Sequence, residues 1–297
     1  VSGLSALRQA VTFFPNNVET RVVSKRMINQ FSSIYTDGTA DSMTPLTALS
    51  MYDQFRELTP VGRRGDRIIQ RLADRLVEVD LLDRASVLLD RQVKFRLRGK
   101  QKAIVGSKLA LIRLLDRQPR LALDALNESV SPGLDSRLAL ERKRLRSRSV
   151  FELGDSESAL KLIKNDDSRK ADLLRADIYW RTQDWERSAL IYQRLIGDTG
   201  KDGRRLSDLS ATLVVNWVVS LSMNGQKDKL NEARQIYAAM MDSTRYREAF
   251  RLITNKTAED LQDFRTLTER FQEIGRFQGF LTSYREKLRD QPLSKIQ

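Results

Sequence analysis

The chain has 297 residues, with 52 Lys and Arg against 39 Asp and Glu, a net charge of +13. It contains no Cys, which excludes disulfides, thiolate metal sites and cysteine nucleophiles, and no His, which removes the usual general base near neutral pH and the commonest metal ligand. Only 14 Gly and 6 Pro interrupt it, a low frequency that predicts long helices and few tight turns.

In chain order, loops are expected at Asp37–Asp41 and at Thr59–Gly65, which holds Pro60, Gly62 and Gly65. Helical periodicity then takes over. Ile68, Ile69, Leu72, Ala73, Leu76 and Val79 recur at three- and four-residue steps and predict one apolar helix face. After a break at Asp80–Asp83, a second face follows in Ala85, Leu88, Leu89 and Val93. The next pair has Val105, Leu109, Ile112 and Leu115, a break at Gln118-Pro119, then Ala122, Ala125 and Leu126; Pro119 suits a first helical turn. A loop is expected at Ser129–Gly133. Leu138, Leu145 and Val150 precede a break at Gly154-Asp155, followed by Ala159, Leu162 and Ile163. Leu174, Ile178 and Tyr179 precede Gln183-Asp184, followed by Ser188, Tyr192 and Leu195. After a loop at Gly197–Gly203 come Leu213, Trp217 and Leu221, a break at Asn224-Gly225, then Ala233, Ile236, Tyr237 and Met240. A last pair is expected over Leu261–Phe271 and Phe277–Leu288. Alternating β-branched runs are missing, so no strand is expected. The longest apolar stretch, Leu213 to Leu221, is too short to span a bilayer. The chain starts at Val1 with no signal-peptide pattern, as expected of a mature or excised piece.

A small residue opens each second helix, at Ala85, Ala122, Ala159, Ser188 and Ala233, so that paired helices can approach closely. Helix pairs at such a period predict a solenoid, because one hairpin cannot bury its apolar face alone. The best copy is Ala176, Tyr179, Gln183-Asp184-Trp185, Ser188, Tyr192 and Leu195. Leu72-Ala73, Leu76, Ala85 and Leu89 form a second, and Leu109-Ala110 with Ala122 a third, in which Arg113 replaces a large apolar residue. Arg146 and Ser147 replace Leu and a small residue before Ala159, and about three extra residues near Lys227 precede Ala233. On these residues the chain, over about 65–290, resembles a tetratricopeptide (TPR) repeat array. The resemblance implies an all-α fold of stacked antiparallel helix hairpins forming a right-handed superhelical solenoid. Leu7, Ala10 and Phe14-Pro15 look like the end of a preceding repeat. The expected organisation is therefore 1–43 as that end plus a connecting helix, and 44–297 as one elongated array. The run Phe55–Asp66 with Ile68–Leu82 is similar to the C-terminal part of large alphaproteobacterial repeat proteins, which implies a segment of a larger envelope protein and favours the periplasm over the cytoplasm.

The charge is local. Residues 1–90 are balanced, whereas 91–120 hold ten basic residues against Asp116 alone, and 137–148 hold six against Glu141. A patch of this kind reads either as a surface for an anionic partner or as a solvated face whose Arg and Lys stems cover apolar surface. Arg142 and Arg146, and Arg144 and Arg148, are four apart, a spacing at which like charges repel on a helix. The TPR resemblance places first helices along a groove, with Arg67, Gln70 and Asp74, then Arg144 and Arg148, then Lys170, Asp177 and Trp180 facing it. The expected partner-binding set is Lys94, Arg96, Arg98, Lys102, Arg142, Arg144, Arg148 and Trp180, for a protein or peptide with an acidic surface. Trp180 can equally serve as core, as can Trp217. A nucleic acid or other anionic polymer is the alternative, although Phe95 is the one aromatic in 91–148 available for stacking.

No catalytic, metal or cofactor site is expected. Gly197–Gly203 lacks the spacing and the Ser or Thr of a phosphate loop. Asp166-Asp167, with Asp155 and Glu157, lacks a calcium-loop frame. Nothing selects a pair of carboxylates for hydrolysis, and the Asn-x-Ser/Thr matches at Asn127 and Asn255 are chance. The expectation is a non-enzymatic interaction scaffold.

Overall fold

The computed structural model describes residues 18–200 and 205–255, together with Leu4, Ser5, Arg8, Gln9 and Phe13. Among these residues there are thirteen α-helices and no strand. Packing groups them into two units, one up to Ser149 and one from Val150. The expected helices beyond residue 260, the Leu7–Pro15 helix end and Lys201–Gly203 lie outside the described residues.

The first unit starts with α1 (Val18–Thr36), α2 (Pro45–Gln54), α3 (Arg63–Glu78) and α4 (Leu82–Phe95). It continues through α5 (Gly99–Leu115), α6 (Pro119–Glu128) and most of α7 (Ser136–Glu152). Successive helices from α2 to α6 pack on one another, and α4 also touches α6. Most of the first apolar face is buried: Ile68, Ile69, Leu72, Ala73 and Leu76 on α3 meet Ala85, Leu88, Leu89 and Val93 on α4, whereas Val79, expected on the same face, follows the end of α3 and is exposed. At the start of the unit, Phe31, Tyr35 and Tyr52 pack ring against ring. The Tyr35 hydroxyl donates to the Ala48 carbonyl at 2.9 Å, and burial pushes its ionisation well above the ordinary tyrosine range.

The second unit holds α8 (Ser156–Leu162), α9 (Arg169–Arg181), α10 (Trp185–Ile196), α11 (Asp208–Met223), α12 (Lys227–Met241) and α13 (Arg247–Asn255). Consecutive helices pack here too, and α11 also contacts α13. Aromatic rings fill this core. Trp180 meets Trp185 and Tyr192 edge-on, and Trp217 meets Tyr237 in the same way.

A single turn geometry recurs. Asp80, Arg117, Gly154, Gln183 and Gly225 each have positive φ and end a helix. The amide that follows each donates back five residues: Leu81 to Leu76, Gln118 to Arg113, Asp155 to Val150, Asp184 to Tyr179 and Gln226 to Leu221, at 2.8–3.2 Å. This is the Schellman arrangement, which satisfies carbonyls that a helix end otherwise leaves open. Five residues after the positive-φ residue stands a fully buried small side chain: Ala85, Ala122, Ala159 and Ser188. In the fifth turn Ala233 follows Gly225 by eight, so the three extra residues expected near Lys227 lie at the start of α12.

Candidate interaction surface

The basic residues of 91–148 divide into two populations. The first is interior. On α7, Leu138, Arg142, Leu145 and Ser149 follow one another at helical steps, so Arg142 stands on the packed stripe and is buried like Leu145 and Ser149, with Leu138 half-buried. Its Nη1 donates to the Ala103 carbonyl at 2.8 Å and to the Ser107 and Ser129 hydroxyls at 3.1 Å; its Nη2 donates to the Leu126 carbonyl at 2.6 Å. These acceptors belong to α5, to α6 and to the residue after α6, so one guanidinium ties three elements together without a carboxylate. Burial, with help from Arg146, lowers its affinity for the proton below the ordinary arginine value. The planar fork explains the choice of Arg, since an ammonium could not serve acceptors set so far apart.

The same use of arginine recurs. Arg113 is buried and donates to the Leu121 carbonyl at 2.8 Å and to Asp90 at 2.5 Å. Arg96 donates to Asp66 at 2.8 Å and to the Pro60 carbonyl at 2.5 Å. In the second unit Arg175 reaches Asp172 and the Ile163 carbonyl, while Arg194 donates to Asp172 at 2.7 Å. Arginines throughout the fold thus bind carbonyls or carboxylates of neighbouring turns.

Four of the eight residues expected to meet a partner lie in the interior of this arrangement. Arg142, Arg144 and Arg148 are buried, Arg148 among the most deeply buried large side chains, and Trp180 is enclosed by Trp185 and Tyr192. Gln70 of the expected groove is buried too. Arg96 is held by Asp66 and Pro60. Lys94 is exposed but bonded to Asp90 at 2.8 Å, which raises its pKa, with Glu128 at 3.8 Å. Arg98 is exposed and Lys102 half-buried, and neither forms an ion pair among the described residues.

The second population is exposed and collects at one end of the first unit. In antiparallel hairpins the start of α3, the end of α4, the start of α5, the end of α6 and the start of α7 share that end. Cross-links confirm it: Arg96 to Pro60, Lys94 to Glu128, and Lys100 to Asp135 at 2.9 Å. The exposed cations there are Arg63, Arg64 and Arg67 on α3, Arg91 and Lys94 on α4, Arg98 and Lys100 at the start of α5, and Arg137 on α7. Two close contacts set the shape of this end. A Cβ on Gly65 would fall 1.9 Å from the Pro60 carbonyl oxygen, and one on Gly106 would fall 2.0 Å from Ser129 Oγ. Glycine is what lets those turns lie against the helices.

Apolar side chains project at the same end: Val61, 97% exposed, in the turn before α3; Phe95, 82%, the last residue of α4; and Val130, 69%, in the turn before α7. The opposite end of this unit carries Glu78, Asp80 and Asp83 at the α3–α4 turn and Asp116 after α5, together with the exposed Arg84, Arg117 and Arg120. Burial raises the Asp116 pKa, and the charges of Asp83 and Asp80 add to the shift.

No protein-family model and no curated protein matches the chain. Among the described residues there is no cluster of Asp and Glu able to hold a metal ion, and no helix is long and apolar enough to cross a membrane. Asp166 is buried and its carboxylate accepts from the Ser168 amide at 3.1 Å, as part of a turn.

Sequence reasoning missed Arg63, Arg64, Val61 and Val130 because they lie in or beside turns, outside the densest basic run. The alternation of Val61, Phe95 and Val130 with the turns linking successive hairpins was the available signal.

Proposed function

We propose that the chain is a non-enzymatic, TPR-type interaction scaffold, a segment of a larger bacterial envelope protein, that receives an acidic partner surface on the basic end of its first unit. The observation that carries this reading is the set of exposed cations Arg63, Arg64 and Arg98, which have no ion pair among the described residues and stand at the starts of α3 and α5. Cations left without internal partners supply electrostatic steering and complementarity to an opposite surface. The five-fold recurrence of the Schellman turn, with its buried small residue, supports the repeat reading.

Retention on an immobilised polyanion such as polyglutamate or heparin tests the surface. Arg63→Glu, Arg64→Glu and Arg98→Glu together should lower the salt concentration needed for elution, while the helical circular-dichroism spectrum stays unchanged. Unchanged elution would remove this end from the proposal. A nucleic acid would engage the same cations but has Phe95 alone to stack on, so a gel shift lost equally in Phe95→Ala would favour that partner instead.

A further inference from the structure

We infer that the acidic surface met by this end is an anionic lipid leaflet, with Val61, Phe95 and Val130 entering the bilayer interface and the surrounding cations meeting lipid phosphates. This rests on the reading of the basic end given above and names its partner.

The three apolar tips are single residues at three separate inter-hairpin connections, Phe95 as the last residue of α4, and each is largely exposed. A protein partner would need a shaped pocket at each tip, because interface energy concentrates in well-packed, desolvated anchors. A lipid interface accepts side chains at any spacing, since acyl chains flow around them. The tips stand at successive inter-hairpin connections, so they form a row roughly 10 Å apart, set by helix packing distances.

Charge is arranged to match. Arg63 and Arg64 follow Val61 by two and three residues, Lys94 precedes Phe95, Arg98 and Lys100 follow it, and Arg137 lies on the helix after Val130. Val61 and Phe95 are therefore flanked by cations able to stay at the level of the phosphates while the tips go deeper, whereas Val130 lies between Glu128 and Asp135, which face Lys94 and Lys100. The carboxylates nearby are largely occupied: Asp66 by Arg96, Asp90 by Arg113 and Lys94, and Asp135 by Lys100 and the Leu138 amide.

The far end differs in charge. About 24 Å away along a sixteen-residue helix, Asp80, Asp83 and Asp116 are accompanied by the exposed Arg84, Arg117 and Arg120, so that end is close to balanced. A unit with its excess positive charge at one end turns that end toward an anionic plane before contact.

The absence of Cys makes the test site-specific. Single variants Val61→Cys, Phe95→Cys and Val130→Cys, each labelled with an environment-sensitive fluorophore, are mixed with vesicles of phosphatidylglycerol and phosphatidylcholine, or of phosphatidylcholine alone. Asp83→Cys at the far end is the control. A blue shift at all three tips on the anionic vesicles, and none at residue 83, is expected. Co-sedimentation should show binding weakened about tenfold or more by Val61→Ser, Phe95→Ser and Val130→Ser combined, with polyanion retention unchanged. Tips that do not shift, or a serine variant that binds vesicles as well as the wild type, would overturn the lipid inference while leaving the basic-end reading intact. Unchanged polyanion elution in the charge-reversed protein would instead sink that reading itself.

Discussion

Helix α7 and the α4–α5 turn are both crowded with basic residues, yet the structure uses them in opposite ways. On α7, Arg142, Arg144 and Arg148 are interior, and Arg142 spends its donors on Ala103, Leu126, Ser107 and Ser129. At the α4–α5 turn, Arg98 and Lys100 are exposed, and Phe95 projects between them and Lys94. The difference teaches that charge density along a chain does not report charge on a surface. What decides is whether a cation falls on a packed stripe that also offers it carbonyls.

The largest effect that could break this contrast is at Arg142. Arg142→Met should cost about 3 kcal/mol or more, because four acceptors in a buried site lose their donor. Chemical denaturation measures it; a cost near zero would show the guanidinium to be solvated. Arg142→Lys should recover little, since one ammonium cannot span α5 and α6.

Next is Gly106→Ala, which drives a methyl into Ser129 Oγ and disturbs an acceptor of Arg142. Overpacking of this kind costs about 2 kcal/mol, against a gain of about 1 kcal/mol in helix propensity. Adding Ser129→Gly makes room for the methyl, and a double-mutant cycle should show the coupling.

A smaller effect sharpens the comparison from the exposed side. Asp135 accepts from the Leu138 amide and pairs with Lys100, and those contacts hold its pKa below the ordinary aspartate value. A depressed folded pKa contributes stability above the unfolded value, and that contribution disappears as pH falls through the folded one. The wild type should therefore lose more stability than Asp135→Asn on acidification below about pH 4. Parallel thermal melts across that range check it. The smallest effect is at Arg98→Ala, which should leave stability within about 0.5 kcal/mol.

Much of the fold was legible in the sequence. The helix faces, the breaks at Asp80–Asp83, Gln118-Pro119, Gly154-Asp155, Gln183-Asp184 and Asn224-Gly225, and the small Ala85, Ala122, Ala159 and Ser188 that prove buried follow from periodicity and turn chemistry, while the positive φ at Arg117 was not visible there. The displacement of Ala233 was also visible as inserted residues. The interaction surface was less legible. Arg142 shares a helical stripe with Leu138, Leu145 and Ser149, so its burial could have been read from spacing. Which carbonyls would receive it could not, because Ala103 and Leu126 are brought to it only by tertiary packing. Trp180 was open to either reading, and the rings of Trp185 and Tyr192 decide it for the core. Val61 and Val130 looked like unremarkable loop residues until antiparallel packing set their turns at one end.

Arginine-selective labelling of the native protein with phenylglyoxal, read residue by residue by mass spectrometry, tests the division of charge most directly. Arg63, Arg64 and Arg98 should be modified rapidly, while Arg142, Arg144 and Arg148 react only once the protein is unfolded. Equal rates for Arg98 and the three α7 arginines in the native state would contradict it.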